Sequence, residues 1–277
     1  MDKSVDVLIV GQGICGSCLA LQLLQEGKSI HIIDRGHESA TSSIAAGLIN
    51  PITGRRYSKS WMIDILLPYA RTFYRKLQED FDQNIYKYTP IYRILSSPRA
   101  VNYWDERSGD PEYTDYMSDA NPTFSFIETA CEAGTVTGGM HVYMNRLIEA
   151  LRDRWMTEEI LSEETFRYEQ LERGGKCWQY KNIRAERIVF SEGPAVAQNP
   201  YFNSWPWDFI KGEALYLKVR PDLLDAPIKQ TLFLIPWEED TLWVGTTYDR
   251  EHADGKPSSE GKEYILDRLE RSEEHTS

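Results

Sequence analysis

The sequence is poor in the residues that usually announce a metal centre or a disulfide scaffold. It carries four cysteines and five histidines in 277 residues. None of the histidines (His31, His37, His141, His252, His275) has metal-ligand spacing to a second donor, so no metal site is expected. Cys15 and Cys18 form a C-x-x-C that reads either as a redox pair or as two small residues in a tight turn. With no second dithiol nearby the packing reading is preferred. Basic residues are also in deficit: 31 Lys and Arg stand against 43 Asp and Glu, a net charge of -12. That balance disfavours a nucleic-acid surface. No apolar run approaches the length of a bilayer span. The opening MDKSVDVLIV has neither an h-region nor a small-residue cleavage site, so a cytoplasmic protein is expected. The chain is long enough for one large domain or two modest ones.

What the sequence does contain is glycine in one telling place. Residues 5–10 are β-branched and apolar, as in a strand buried on both faces. Gly11, Gly13 and Gly16 then make G-x-G-x-x-G, followed by a helical run through Leu19, Leu21, Leu23 and Leu24 that stops at Gly27. Gly11 permits the tight turn, Gly13 lets a diphosphate approach the backbone, and Gly16 lets the helix lie close to the strand. The free N–H groups of the helix start and its dipole favour an anion there. A second buried strand, residues 29–33, ends in Asp34, where a carboxylate can accept the hydroxyls of an adenosine ribose. This order specifies a dinucleotide site and leaves NAD and FAD both open.

Beyond Asp34 comes GHESATSSIAAGLINPITGRRYSKSW, a loop of small residues suited to close approach of a ligand. An amphipathic helix is expected over residues 61–81 with Leu66, Tyr69, Phe73 and Leu77 on one face and a kink or break at Pro68. Strands are expected at 85–88, 91–95 and 124–129. Arg55 and Arg56 are candidates for a substrate carboxylate or a phosphate, since a planar guanidinium suits either. Tyr216, Trp243, Thr246 and Tyr248 are candidates for pocket walls at alternating strand positions.

The chain resembles the flavin-dependent amine oxidoreductases of the D-amino-acid oxidase and glycine oxidase superfamily. The likeness rests on the opening fingerprint and on SSIAAGLINP as the small-residue loop. It continues with GGMHVYMNRLIEAL as a helix returning to the nucleotide domain and RIVFSEGP as its late strand and glycine turn. IKGEALYL and LFLIPWEEDTLWVGTTYD stand as substrate-domain strands. Within the superfamily, AAGLINPITGRR resembles members related to the flavin half of the enzymes forming tRNA 5-methylaminomethyluridine.

The resemblance implies an α/β fold in which a Rossmann-like, glutathione-reductase-type FAD domain is interleaved with an α+β substrate domain carrying a mixed or antiparallel sheet. The FAD domain would use residues 1–52 and 134–200, the substrate domain 53–133 and 201–270. FAD is the implied cofactor. Gly11, Gly13, Ile14, Cys15 and Gly16 would lie on its diphosphate, with Asp34 and Arg35 at the adenosine. Ser42, Ser43, Ala46, Gly47 and Leu48 would line the flavin, and Thr165 or Phe166, on a strand, would border the adenine. Ser191 and Gly193 would close the phosphate side, with Glu192 turned away from it. The implied activity is oxidation of the C–N bond of a small amine or amino acid. A flavin-dependent step of tRNA wobble-uridine modification and a non-catalytic nucleotide-binding role are the alternatives. No particular catalytic residue and no oligomeric state is implied.

The last residues, RSEEHTS (271–277), match the translation of a common sequencing-adapter string, so they are expected to be foreign to the protein. The superfamily's G-x-R-P segment and glycine-rich ending do not appear before them. The expectation is therefore a shortened chain that holds FAD weakly and turns over poorly.

Overall fold

A computed structural model describes residues 3–36, 40–118, 132–221, 223–238, 240–251 and 255–274. It divides into two compact units: Met1–Ala45 with Met144–Phe209, and Ala46–Tyr143 with Ile210–Ser277. The chain crosses between them after residues 45, 143 and 209, where the sequence suggested 52, 133 and 200. The second crossing comes late because Glu132–Val136 and Met140–Val142 pair with strands of the second unit.

The first unit is built on a six-stranded sheet in the order Leu161–Glu163, Ile30–Asp34, Lys3–Val10, Ile183–Phe190, Cys177–Tyr180, Leu171–Gly174. The first four strands run parallel and the last two antiparallel. Leu8, Ile9, Ile32 and Ile33 are wholly buried, as parallel strands covered on both faces must be. The helix Ile14–Gln25 links the first two strands, and the helix Met144–Thr157 buries Leu147, Ile148, Leu151 and Trp155. Lys3–Val10 and Ile183–Phe190 lie side by side, so their carboxyl ends open together beside the first helix. In an open α/β sheet such a crevice is where a ligand sits.

In the second unit, seven strands run in the order Ala214–Lys218, Thr241–Gly245, Phe233–Glu238, Ile228–Lys229, Ile91–Leu95, Glu132–Val136, Met117–Ser118. All neighbours are antiparallel except Ile228–Lys229 against Ile91–Leu95. One face packs Ile94, Ala133, Ile228, Leu242 and Val244 around Ile265 of the helix Ser259–Glu274. The opposite face carries Ile91, Leu95 and Val136 beneath Tyr57, Leu67 and Trp104. Gly134 makes this possible, since a Cβ there would stand 2.1 Å from the Trp104 ring.

Three readings of the sequence need correction here. The helix Ile63–Phe81 starts two residues later than expected and runs through Pro68 without breaking. It buries Ile63, Leu67 and Leu77, whereas Leu66 and Tyr69 are exposed, so the inward stripe is rotated from the one the apolar spacing suggested. GGMHVYMNRLIEAL does not open as helix: Met140–Val142 is a strand between Leu48–Ile49 and Tyr86–Tyr88. The strand expected at 124–129 lies outside the described residues.

Candidate functional site

The turn after the first strand is shaped by backbone contacts that exclude side chains. Gly11 has φ +102°, and a Cβ there would lie 2.3 Å from the Ser191 carbonyl oxygen. A Cβ at Gly16 would lie 2.0 Å from the Gly11 carbonyl oxygen. These two glycines are demanded by the fold itself. Gly13 is different: its absent Cβ would meet only the Ser42 hydroxyl, at 3.2 Å. The space in front of Gly13 is open apart from that hydroxyl.

From Gly13 the helix Ile14–Gln25 begins with no side-chain cap from that residue. Its first amide, Ile14 N–H, donates to Ser42 Oγ at 3.0 Å. The amides of Cys15 and Gly16 precede the first turn's closing bond, Ser17 N–H to the Gly13 carbonyl. Ser42 and Ser43 belong to the short helix Thr41–Ile44. The Ser43 hydroxyl is buried without a hydrogen-bond partner among the described residues, an unmet polar group beside a helix start that favours anions.

Asp34 ends the second strand in a dense network. Its Oδ2 accepts the Gln12 amide at 2.8 Å, and its Oδ1 accepts the Gly36 amide at 2.9 Å and Arg152 Nη1 at 3.0 Å. Arg152 also donates to the Gln12 side-chain oxygen and to Glu163. Gln12 in turn donates to the Ile148 carbonyl at 3.0 Å. A carboxylate offers about four lone-pair sites, so Asp34 retains capacity for a ribose hydroxyl. Sequence reading missed Arg152; a lone arginine among apolar helix positions was the available signal.

Other candidates are placed less tightly. Arg35 is exposed. Thr165 and Phe166 follow the end of the Leu161–Glu163 strand rather than lying on one; Thr165 is exposed and Phe166 stacks on Tyr180 at 4.4 Å. The Ser191 amide donates to the Val10 carbonyl at 2.7 Å, and Gly193 takes φ +56°. The Glu192 carboxylate is held by Tyr168 and by Asn199, at 2.7 Å for the latter. Ala46, Gly47 and Leu48 fall in the second unit, where the Gly47 carbonyl accepts the Val142 amide at 2.9 Å.

Of the proposed pocket walls, Tyr216 and Trp243 are register partners on adjacent strands. Tyr216 is half exposed and meets the Trp237 ring at 5.5 Å, while Trp243 is buried. Thr246 and Tyr248 do not share the strand, which ends at Gly245; both are exposed on the following segment. Arg55 and Arg56 occupy an exposed turn between Ile52–Thr53 and Ser58–Lys59. Trp237 and His141, with rings 5.8 Å apart, were not anticipated. Within the C-x-x-C, burial, with Cys15 alongside, pushes the Cys18 thiol up to about 11, which disfavours its thiolate near neutral pH.

Comparison with known proteins decides the family. The sequence pattern described as "DAO: FAD dependent oxidoreductase" matches residues 6–273. The chain belongs to this family. Its cofactor is FAD and its class is oxidoreductase. The tRNA 5-methylaminomethyl-2-thiouridine biosynthesis bifunctional protein MnmC of Idiomarina loihiensis is 24% identical over 286 residues. That alignment takes in 95% of this chain and 45% of the relative, so the chain spans about half of its length. Glycine oxidase from Geobacillus kaustophilus superposes with TM-score 0.73 at 19% identity, covering 96% of this chain and 77% of that one. Iminodiacetate oxidase from Chelativorans sp. BNC1 does so with TM-score 0.69 at 17% identity, covering 95% and 77%. Among the described residues no helix is long and apolar enough to cross a membrane, and no cluster of side chains suits a metal ion.

Proposed function

We propose that the protein oxidises the C–N bond of a small amine or amino acid, with FAD held by the first unit. The observation that carries this is the open Gly13 helix start beside the orphaned Ser43 hydroxyl, in a chain of the FAD-dependent family. On this reading the Gly13, Cys15 and Gly16 amides hold the diphosphate, Ser42 and Ser43 supply hydroxyls near it, and Asp34 accepts from the adenosine ribose. Arg152 keeps Asp34 oriented for that task. Glu192 is tied to Tyr168 and Asn199, so it need not oppose the phosphates. Bound FAD would supply the two-electron acceptor for the hydride that leaves the carbon bearing the amine. The chain's own contribution is to bind, orient and desolvate the substrate; an amine arriving neutral needs no general base.

Anaerobic titration of the FAD-loaded chain with small amines and amino acids tests this directly. Bleaching of the flavin band by one of them, with the imine or its carbonyl hydrolysis product recovered, is the expected result. If dithionite reduces the bound flavin and no amine or amino acid does, the C–N reading fails and a non-catalytic nucleotide-binding role takes its place.

A second reading, the flavin-dependent step of tRNA wobble-uridine modification, draws support from the likeness to the bifunctional relative. The net charge of -12 weighs against contact with RNA by this chain alone. Tight tRNA binding with a steep salt dependence would favour it.

A further inference from the structure

The helix Ile14–Gln25 carries two thiols one turn apart, Cys15 and Cys18; among the described residues the one other cysteine is Cys177, on the strand Cys177–Tyr180. Packing, the reading the sequence favoured, does not account for both. The helix turns Gly16, Ser17, Ala20 and Leu21 inward. Cys15 is exposed and Cys18 only partly buried, so both thiols stand off that inward side. Helix residues three apart share a face, with Cβ atoms about 5–6 Å from each other. Every Cα–Cβ bond leans towards the helix start, so Cys18 tilts over the turn that Cys15 opens.

A C-x-x-C at a helix start is a redox arrangement, and the two exposures divide its roles. Cys15, exposed, meets a dissolved low-molecular-weight disulfide such as glutathione disulfide. Its sulfur bonds to one glutathione sulfur, and the other half leaves with the Cys15 proton as a thiol. The Cys18 sulfur then attacks the Cys15 sulfur, and the second glutathione departs with the Cys18 proton. Two protein thiols are thus oxidised to one disulfide while one glutathione disulfide is reduced to two thiols. Burial first, and the Cys15 charge second, hold the Cys18 thiol near 11, which slows the closing step near neutral pH. Proximity offsets this, because the attack is intramolecular.

We propose that Cys15 and Cys18 are a redox-modification site whose reversible disulfide weakens FAD binding. A disulfide holds its Cβ atoms about 4 Å apart, closer than an open helical turn does. Closing it draws the first turn together and moves the Cys15 amide. That amide precedes the turn's closing bond, Ser17 N–H to the Gly13 carbonyl at 2.9 Å. Amides of this kind make the anion seat at a helix start, so the closed turn offers the diphosphate displaced donors. The modification itself stands on the two thiols alone; its effect on FAD rests on the diphosphate placement proposed above.

The test applies glutathione buffers of stepped oxidised-to-reduced ratio to the whole chain, with and without FAD. After acid quenching and alkylation of the remaining thiols, mass spectrometry should find a Cys15–Cys18 disulfide that rises and falls reversibly with the ratio. Cys18→Ser should stop at the mixed disulfide of Cys15 with glutathione. With glutathione removed, the oxidised protein should bind FAD at least about tenfold more weakly than the reduced protein, the loss expected for one hydrogen bond to a charged group. Cys15→Ser should bind FAD alike after either treatment. Linkage then requires saturating FAD to shift the glutathione equilibrium of the pair towards the dithiol by the same factor. Recovery of both thiols alkylated at every ratio, or of the Cys15 mixed disulfide alone, overturns the proposal. So does a disulfide that leaves FAD affinity unmoved. In that event Gly13→Ala separates the two failures: weakened FAD binding there keeps the diphosphate placement and removes only the switch, whereas unchanged binding removes both.

Discussion

Arg152 and Asp34, 118 residues apart in the chain, meet through a 3.0 Å hydrogen bond in which both side chains are largely buried. That bond joins the helix Met144–Thr157 to the end of the second strand. Arg152 also draws in Gln12, whose amide donates to the same carboxylate. The Asp34 carboxylate, proposed above as the ribose acceptor, is thereby fixed from two directions. Replacing Arg152 by Met leaves the Asp34 charge without its partner. Removing one member of a buried pair costs about 3 kcal/mol, somewhat less here because Glu163 is half exposed. The measurement is urea unfolding together with FAD affinity; both should fall. Unchanged FAD affinity would separate Asp34 from the cofactor.

The two outer glycines and the middle one should behave differently. Gly16→Ala drives a Cβ to 2.0 Å from the Gly11 carbonyl oxygen, a backbone atom that cannot yield without moving strand or helix. Overpacking of this kind costs about 1–3 kcal/mol. Gly13→Ala meets only the Ser42 hydroxyl at 3.2 Å, so the fold should tolerate it. If the diphosphate approaches there, FAD binding should weaken by at least about tenfold in Gly13→Ala with little change in melting temperature. Equal FAD affinity in Gly13→Ala and the unaltered protein would place the diphosphate elsewhere.

This contrast also explains what could be read from the sequence. The glycine turn and Asp34 were legible because their constraints are local: a tight turn, a close helix, a strand end, all within one strand–helix–strand unit. The Arg152 network was not, because its partners come from distant segments and no spacing rule links them. The rotated stripe of the helix Ile63–Phe81 shows the same limit. Its apolar residues wrap two faces, and only contact with Ile91, Val136 and Trp104 chooses between them.

His31 should make the first unit sensitive to mild acid. Its Nδ1 lies 3.0 Å from Lys3 Nζ and its Nε2 lies 2.8 Å from Ser162 Oγ. With the ammonium donating, the ring is neutral and carries its proton on Nε2. Burial first, and the Lys3 charge second, push its pKa down from 6.5 to about 4. The unfolded chain therefore binds a proton below 6.5 that the folded one refuses until about 4. The associated stability is present above 6.5 and is lost as pH falls towards 4. Screened by solvent, the loss is on the order of 1 kcal/mol. Urea unfolding at pH 7 and pH 4.5 should show a steeper decline for the unaltered protein than for His31→Gln. Parallel declines would mean that His31 titrates normally in the fold.

Cys15 offers a way to see the cofactor arrive without any turnover. It is the second residue of the helix Ile14–Gln25 and exposed, whereas Cys18 one turn on is partly buried with its thiol held up near 11. Iodoacetamide near neutral pH should therefore label Cys15 first and Cys18 slowly, because the thiolate is the reacting form. Cys177, partly buried on the antiparallel strand Cys177–Tyr180 inside the edge strand, serves as an internal reference. FAD lying over the helix start would cover Cys15 and leave Cys177 unaffected. At FAD ten times its Kd, labelling of Cys15 should slow about tenfold by mass action. A Cys15 rate that FAD at saturation leaves untouched would mean that the diphosphate does not rest on this helix, whatever the rest of the turn suggests.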